Sequence, residues 1–320
     1  MKRLIRTHLI LLFLFAHLTA LAQETYRFAV RDSRDLYLDV FRPDTNAQTT
    51  AQGVAKPAIM FLFGGGFISG SRSDANARRW FSRLTADGYT VVAIDYRLGM
   101  KGYKMGKGLR GALKALDRFV LSQQIGVEDV FAAVSFLAAH PELNVPADNI
   151  VVSGSSAGAI ISLACAHAIA NGKTEGLPEG FNFKGVMSFA GGIISKKGSP
   201  KFTKAPCPIL LLHGTSDKIV AYHHYGALRR GIWGSSYLAS KFKKAGWNCS
   251  IWRFLDHGHE VAGYMPVMWN AEKAFLEQNV MQGIPCQVDS LVDDPSLPTW
   301  GTRSKAKTAD LYRMDKRSKR

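Results

Sequence analysis

The pentapeptide Gly154-Ser155-Ser156-Ala157-Gly158 constrains this chain more than any other feature. It fits the pattern Gly-x-Ser-x-Gly, and its setting gives the pattern meaning. Asn149-Ile150-Val151-Val152-Ser153 before it is short, apolar and β-branched, as a buried strand is. Ala159 to Ala170 after it is rich in Ala, Ile and Leu and predicts a buried helix. A strand that turns sharply into a helix holds its central Ser on a strained, exposed corner, and small flanking residues let the two elements close up. Ser156 is therefore the candidate nucleophile. The competing reading is a plain Gly/Ser turn, because such pentapeptides also arise by chance.

The surrounding chain predicts an α/β fold. Glu24 to Pro43 reads as an antiparallel hairpin turning at Asp32 to Asp35, followed by a polar loop, Thr45 to Ala55. Apolar strands follow at Ala58 to Phe63, Thr90 to Tyr96, Asn149 to Ser153, Lys184 to Phe189, Ile209 to His213 and Ser250 to Leu255. Helices are expected at Ala75 to Asp87, Val127 to His140, Tyr237 to Ala245 and Tyr264 to Gln282. Continuous apolar strands alternating with helices imply a mostly parallel sheet, here of about eight strands, covered on both faces. Leu98 to Gly126, which contains a basic Gly-rich loop and the amphipathic segment Leu109 to Leu121, and Ala221 to Ser236 exceed this rhythm. They read as insertions, either bordering a site or lying on the surface. The catalytic domain is expected over 23–283, with an extension over 284–320.

A Ser hydroxyl needs a general base within hydrogen-bond reach, and that base needs an orienting acid. In a fold of this type the chain order is Ser, acid, His. Asp217 lies in Gly214-Thr215-Ser216-Asp217, just after the strand ending at His213, and is the candidate acid; a turn or capping Asp is the alternative. Asp256-His257-Gly258-His259-Glu260 follows the last strand. His259 is the candidate base, because Gly258 gives the loop freedom to project it. His257 is the runner-up. His213, His223 and His224 do not fit the order and are expected to be structural. The oxyanion needs backbone donors. Ala157 N–H supplies one, and Gly65 and Gly66 of Gly64-Gly65-Gly66, at the end of an early strand, supply the others.

Phe63-Gly64-Gly65-Gly66-Phe67, Asp95-Tyr96-Arg97-Leu98, Gly154 to Gly158, His213 to Asp217 and Gly258-His259 together resemble the α/β-hydrolase superfamily. More narrowly, the chain resembles hormone-sensitive-lipase-like esterases and exported bacterial acetylxylan and feruloyl esterases, over about Leu36 to Gly283. The resemblance implies Ser156 as nucleophile, His259 as base, Asp217 as acid, and Gly65, Gly66 and Ala157 as oxyanion donors. It departs at Phe63, where those families commonly carry His. That residue supports the loop, so the change bears on subfamily more than on catalysis.

Met1 to Ala22 has a basic start, an apolar run from Leu9 to Leu18 and a small-x-small site at Ala20-Leu21-Ala22, which predicts a signal peptide cleaved before Gln23 and hence a secreted or periplasmic enzyme. The net charge is +16. Arg303 to Arg320 holds eight Lys/Arg against Asp310 and Asp315, and reads as a solvated, disordered tail that either aids solubility or favours anionic surfaces. No aromatic-basic interleaving points to nucleic acid. Cys165, Cys207, Cys249 and Cys286 allow pairing in an exported protein, with Cys165 reading as a buried apolar residue; their spacing suggests no metal. The expected activity is cofactor-independent hydrolysis of small-molecule or glycan esters through an acyl-enzyme. A serine peptidase of the same fold and a non-catalytic binding protein are the alternatives.

Overall fold

The computed structural model describes residues 23–43, 49–50, 53–227 and 229–299. The expected signal peptide, most of the Thr45 to Ala55 loop and the basic tail lie outside the described residues. The chain opens with β1 (Gln23–Arg31) and β2 (Arg34–Phe41), an antiparallel hairpin. Its turn residues Asp32 and Ser33 both have positive φ, the conformation that matches the strand twist of tight hairpins. Next come β3 (Ala58–Leu62), α1 (Ala75–Ala86), β4 (Val91–Ile94), α2 (Gly108–Ala139), β5 (Ile150–Ser155) and α3 (Ala157–Ala170). They are followed by β6 (Gly185–Phe189), β7 (Gly192–Ser195), β8 (Ile209–Gly214), β9 (His224–Ala227), β10 (Arg230–Gly234) and α4 (Ser235–Lys244). The series ends with β11 (Cys249–Phe254), α5 (Trp269–Ala274) and β12 (Gln287–Val292).

Nine strands form one sheet in the order β1-β2-β4-β3-β5-β6-β8-β11-β12. It is parallel from β4 through β12 and antiparallel only at β1–β2 and β2–β4. Every residue of β3, β4, β6 and β8 is buried, which is why these strands read as unbroken apolar runs. Asp74 caps α1 by accepting from Ala77 N at 2.9 Å, and Trp80, Phe81 and Leu84 turn inward onto Phe41 and Phe61. Arg97, just after β4, donates to the fully buried Asp129 of α2 at 2.9 Å and so fastens that helix to the sheet.

Three expectations are corrected. Leu98 to Gly126 is not an insertion beside a short helix: Gly108–Ala139 is a single helix. Gly126 reads as a breaker in the sequence, but it marks a close crossing with α3, where a Cβ would lie 2.6 Å from Ile161 Cδ1. The expected helix from Tyr264 is broken. A 3-10 turn covers His259–Gly263, Pro266 interrupts, and α5 begins at Trp269. The sheet also continues past Gly283, because β12 pairs in parallel with β11. That strand is a largely exposed edge, so Gln287-Val288-Asp289-Ser290 carries little apolar signal; Arg253 ties it in through Asp289 at 2.5 Å.

Ala221 to Ser236 forms most of a second sheet, β7-β10-β9, beyond the C-terminal end of β6. The four cysteines are free thiols rather than paired. Burial pushes Cys207 and Cys249 up to about 12.

Candidate active site

The parallel strands deliver the chemistry to their C-terminal ends. Ser156 occupies the corner between β5 and α3 with φ 53° and ψ −112°, a backbone region that residues other than Gly rarely enter. Ser156 N–H holds the corner by donating to Phe189 O at 2.9 Å. The flanking glycines are sterically required. A Cβ on Gly154 would come within 2.3 Å of Gly158 C, and one on Gly158 within 2.1 Å of Leu62 O. Ser155 Oγ donates to Ala262 O at 2.7 Å, which ties the corner to the 3-10 turn that carries His259.

The structure brings Ser156, Asp217 and His259 together, all buried. His259 Nε2 lies 2.8 Å from Ser156 Oγ, and Nδ1 lies 2.6 Å from Asp217 Oδ2. An ionised carboxylate only accepts, so Nδ1 carries the proton and Nε2 is left to take one from the hydroxyl. Asp217 Oδ1 accepts from Ile219 N at 2.8 Å and Val220 N at 3.0 Å. Burial alone would push this carboxyl up. The electrostatic attraction of the His259 ring and the hydrogen bonds from His213 and His259 outweigh burial and hold it well below the ordinary carboxylate range.

His257 does not enter this chain of hydrogen bonds. Its Nδ1 lies 2.9 Å from Tyr264 Oη and 3.4 Å from Glu260 Oε1. Gly258, before the base, has φ −97° and ψ −141°, outside both the β and the right-handed helical regions, and the left-handed residue in this loop is Asp256. His223 and His224 lie away from the triad, packed on Tyr237 and Trp233.

The Gly64 to Gly66 loop lies against the nucleophile, since a Cβ on Gly64 would be 3.3 Å from Ser156 Cβ. Gly65 O accepts from Ile68 N and Ser69 N, which closes a turn. The Gly65 and Gly66 N–H groups have no acceptor among the described residues. Ala157 is the first residue of α3, whose ladder starts at Ile160 N to Ser156 O, so its N–H is one of the helix's unpaired first-turn donors. Phe63 is stacked on Tyr96 with centroids 4.4 Å apart, and Tyr96 Oη donates to Phe63 O at 2.7 Å. An aromatic stack thus supports the loop where the resembling families carry His.

Sequence order alone set His213 aside as structural. It is fully buried, and its Nε2 lies 3.1 Å from Asp217 Oδ2 and 3.0 Å from Val220 O. Both neighbours are acceptors, which fixes a proton on Nε2 and makes His213 a second donor to the acid. Its Nδ1 lies 2.8 Å from Ser235 Oγ. The His-Gly-x-x-Asp spacing was the available signal: a strand-end residue four before the acid lies beside it.

The chain is similar in sequence and in fold to known esterases. Residues 22–177, just under half of the chain, match the family model described as the carboxylesterase family. Carboxylesterase patB of Aspergillus clavatus is 26% identical over 130 residues, which cover 38% of this chain and 22% of that protein. The match therefore spans about a fifth of that relative's length. Among solved structures, the apo form of Thermogutta terrifontis esterase 2 is similar with a TM-score of 0.55 and 21% identity, covering 80% of this chain and 94% of the other. The propionate-bound form of that esterase gives 0.56 and 22%, with the same coverage. At such identity the likeness establishes the fold, which is that of the α/β-hydrolases.

Proposed function

We propose that the protein is an exported serine carboxylic ester hydrolase that works through an acyl-enzyme. The observation that carries this reading is the unbroken line from Asp217 through His259 to Ser156, 2.6 Å and 2.8 Å long, ending on a strained corner beside unpaired backbone donors. Ser156 Oγ attacks the ester carbonyl carbon while His259 Nε2 takes its proton. The carbonyl oxygen gains negative charge and is received by the N–H groups of Gly65, Gly66 and Ala157. Collapse of the tetrahedral intermediate breaks the ester C–O bond, and His259 returns the proton to the departing alcohol. Water then attacks the acyl-enzyme, His259 takes its proton, and the carboxylic acid leaves as Ser156 is regenerated.

The carboxylesterase family match and the esterase relatives support ester over amide chemistry. The basic, apolar N-terminal segment supports export with processing before Gln23. The resemblance to acetylxylan and feruloyl esterases favours acetyl or aromatic acyl groups on glycans. Turnover of matched chromogenic acetyl, butyryl, octanoyl and feruloyl esters and an acetyl anilide tests the reading. Hydrolysis of acetyl or feruloyl esters with the anilide inert is expected. Preferential anilide cleavage would make it a peptidase, and inertness toward every substrate would leave only a binding role.

A further inference from the structure

The mouth of the site is flanked by a surface that ester hydrolysis does not explain. The segment from Lys101 to Lys114 exposes Lys101, Lys104, Lys107, Arg110 and Lys114, and among them Met105 and Leu109 are 69% and 64% exposed. The segment is held against the oxyanion loop at both ends. Met100 N donates to Phe67 O at 3.0 Å, and Phe119 packs edge-on against Phe67 at 6.3 Å. Asp117 is the nearest acidic residue in sequence, and it is already engaged by Arg230 at 3.3 Å and Lys196 at 3.8 Å. Lys196 directly follows β7, and Arg230 lies on β10, both strands of the small sheet. Within it Tyr225, 78% exposed, pairs with Ile232 and so shares the strand face of Arg230.

The three large apolar side chains with the greatest exposure among the described residues, Tyr225, Met105 and Leu109, thus stand on the sheet, the loop before α2 and α2 itself, and that helix meets the sheet at Asp117. Exposed apolar groups interleaved with cations that have no acidic partner among the described residues fit a surface that is negative outside and hydrocarbon inside. An acidic polysaccharide would satisfy the cations but offers nothing to Met105 or Leu109. We propose that this rim docks on anionic phospholipid membranes, the cations on the headgroups and Met105 and Leu109 in the interface, and so presents the site to esters at a membrane surface. The proposal concerns binding and stands or falls separately from the esterase reading.

Co-sedimentation of the processed chain with vesicles of phosphatidylglycerol and phosphatidylcholine, against phosphatidylcholine alone, tests it. Binding is expected only to the anionic vesicles and is expected to weaken as salt rises. A Lys104→Glu/Lys107→Glu/Arg110→Glu variant should lose about 100-fold in affinity. A Met105→Ser/Leu109→Ser variant should also bind more weakly. Both should keep the wild-type Tm and soluble-substrate turnover. Wild-type binding by the charge-reversed variant would overturn the proposal. So would loss of binding only when Arg303 to Arg320 is deleted, or an unchanged Ser variant together with full competition by a soluble acidic polysaccharide.

Discussion

His213 and His259 meet at a single oxygen: Nε2 of the first and Nδ1 of the second lie 3.1 Å and 2.6 Å from Asp217 Oδ2. With Ile219 N and Val220 N on Oδ1, the carboxylate accepts four hydrogen bonds and has no freedom to rotate. The orientation of His259 thus depends on a residue that never touches Ser156. Replacing His213 by Leu should lower kcat by about 10- to 100-fold with KM little changed, because a displaced acid misaligns the base. Replacing it by Gln, which can still donate to Asp217, should restore much of the loss. Equal kcat for both variants at unchanged Tm would show that the hydrogen bond does not position the acid.

Asp217 also links the site to acid stability. Its folded pKa is depressed, so its contribution is present above the unfolded value near 3.9 and is lost as pH falls below it. Asp217→Asn should therefore flatten the fall in stability between about pH 4 and pH 2, read by denaturant melts across that range. Turnover at neutral pH should fall on the order of 10⁴-fold, because the amide favours the wrong tautomer of His259. An unchanged acid slope in the variant would contradict the depressed pKa.

Glu272 behaves in the opposite sense. It is fully buried; burial pushes its pKa well up, against the lowering influence of Trp80 Nε1–H at 2.6 Å and the charge of Arg83. Its Oε1 has no hydrogen-bond partner among the described residues. The folded state therefore keeps a proton that the unfolded state releases above about pH 4.3, and stability declines as pH rises from there toward the folded pKa. Glu272→Gln should remove this decline and raise Tm at pH 8 by a few degrees, on the order of 1 kcal/mol. A variant with the same pH slope as wild type would show that the carboxyl is ionised in place.

Much of this was legible in the chain. The buried strands announced themselves because both faces of a parallel sheet are covered, and the order Ser156, Asp217, His259 follows from the topology that brings the strand ends together. The rest was hidden for identifiable reasons. The edge strand β12 is polar because most of it faces solvent. The amphipathic segment Leu109 to Leu121 and the helix after Gly126 are one element, because the small size of Gly126 serves packing on Ile161 rather than helix termination. His213 was passed over because chain order says nothing of the space beside a strand end.

The central claim is that His259, and not His257, is the base that activates Ser156. Incubating wild type, Ser156→Ala, His259→Ala and His257→Ala with a fluorophosphonate probe, and mapping the adduct by mass spectrometry, tests it directly. One adduct per chain on Ser156 is expected in wild type and in His257→Ala. None is expected in Ser156→Ala, and labelling should slow by about 10³-fold or more in His259→Ala. A wild-type adduct elsewhere than Ser156, or labelling lost in His257→Ala and kept in His259→Ala, would contradict the account.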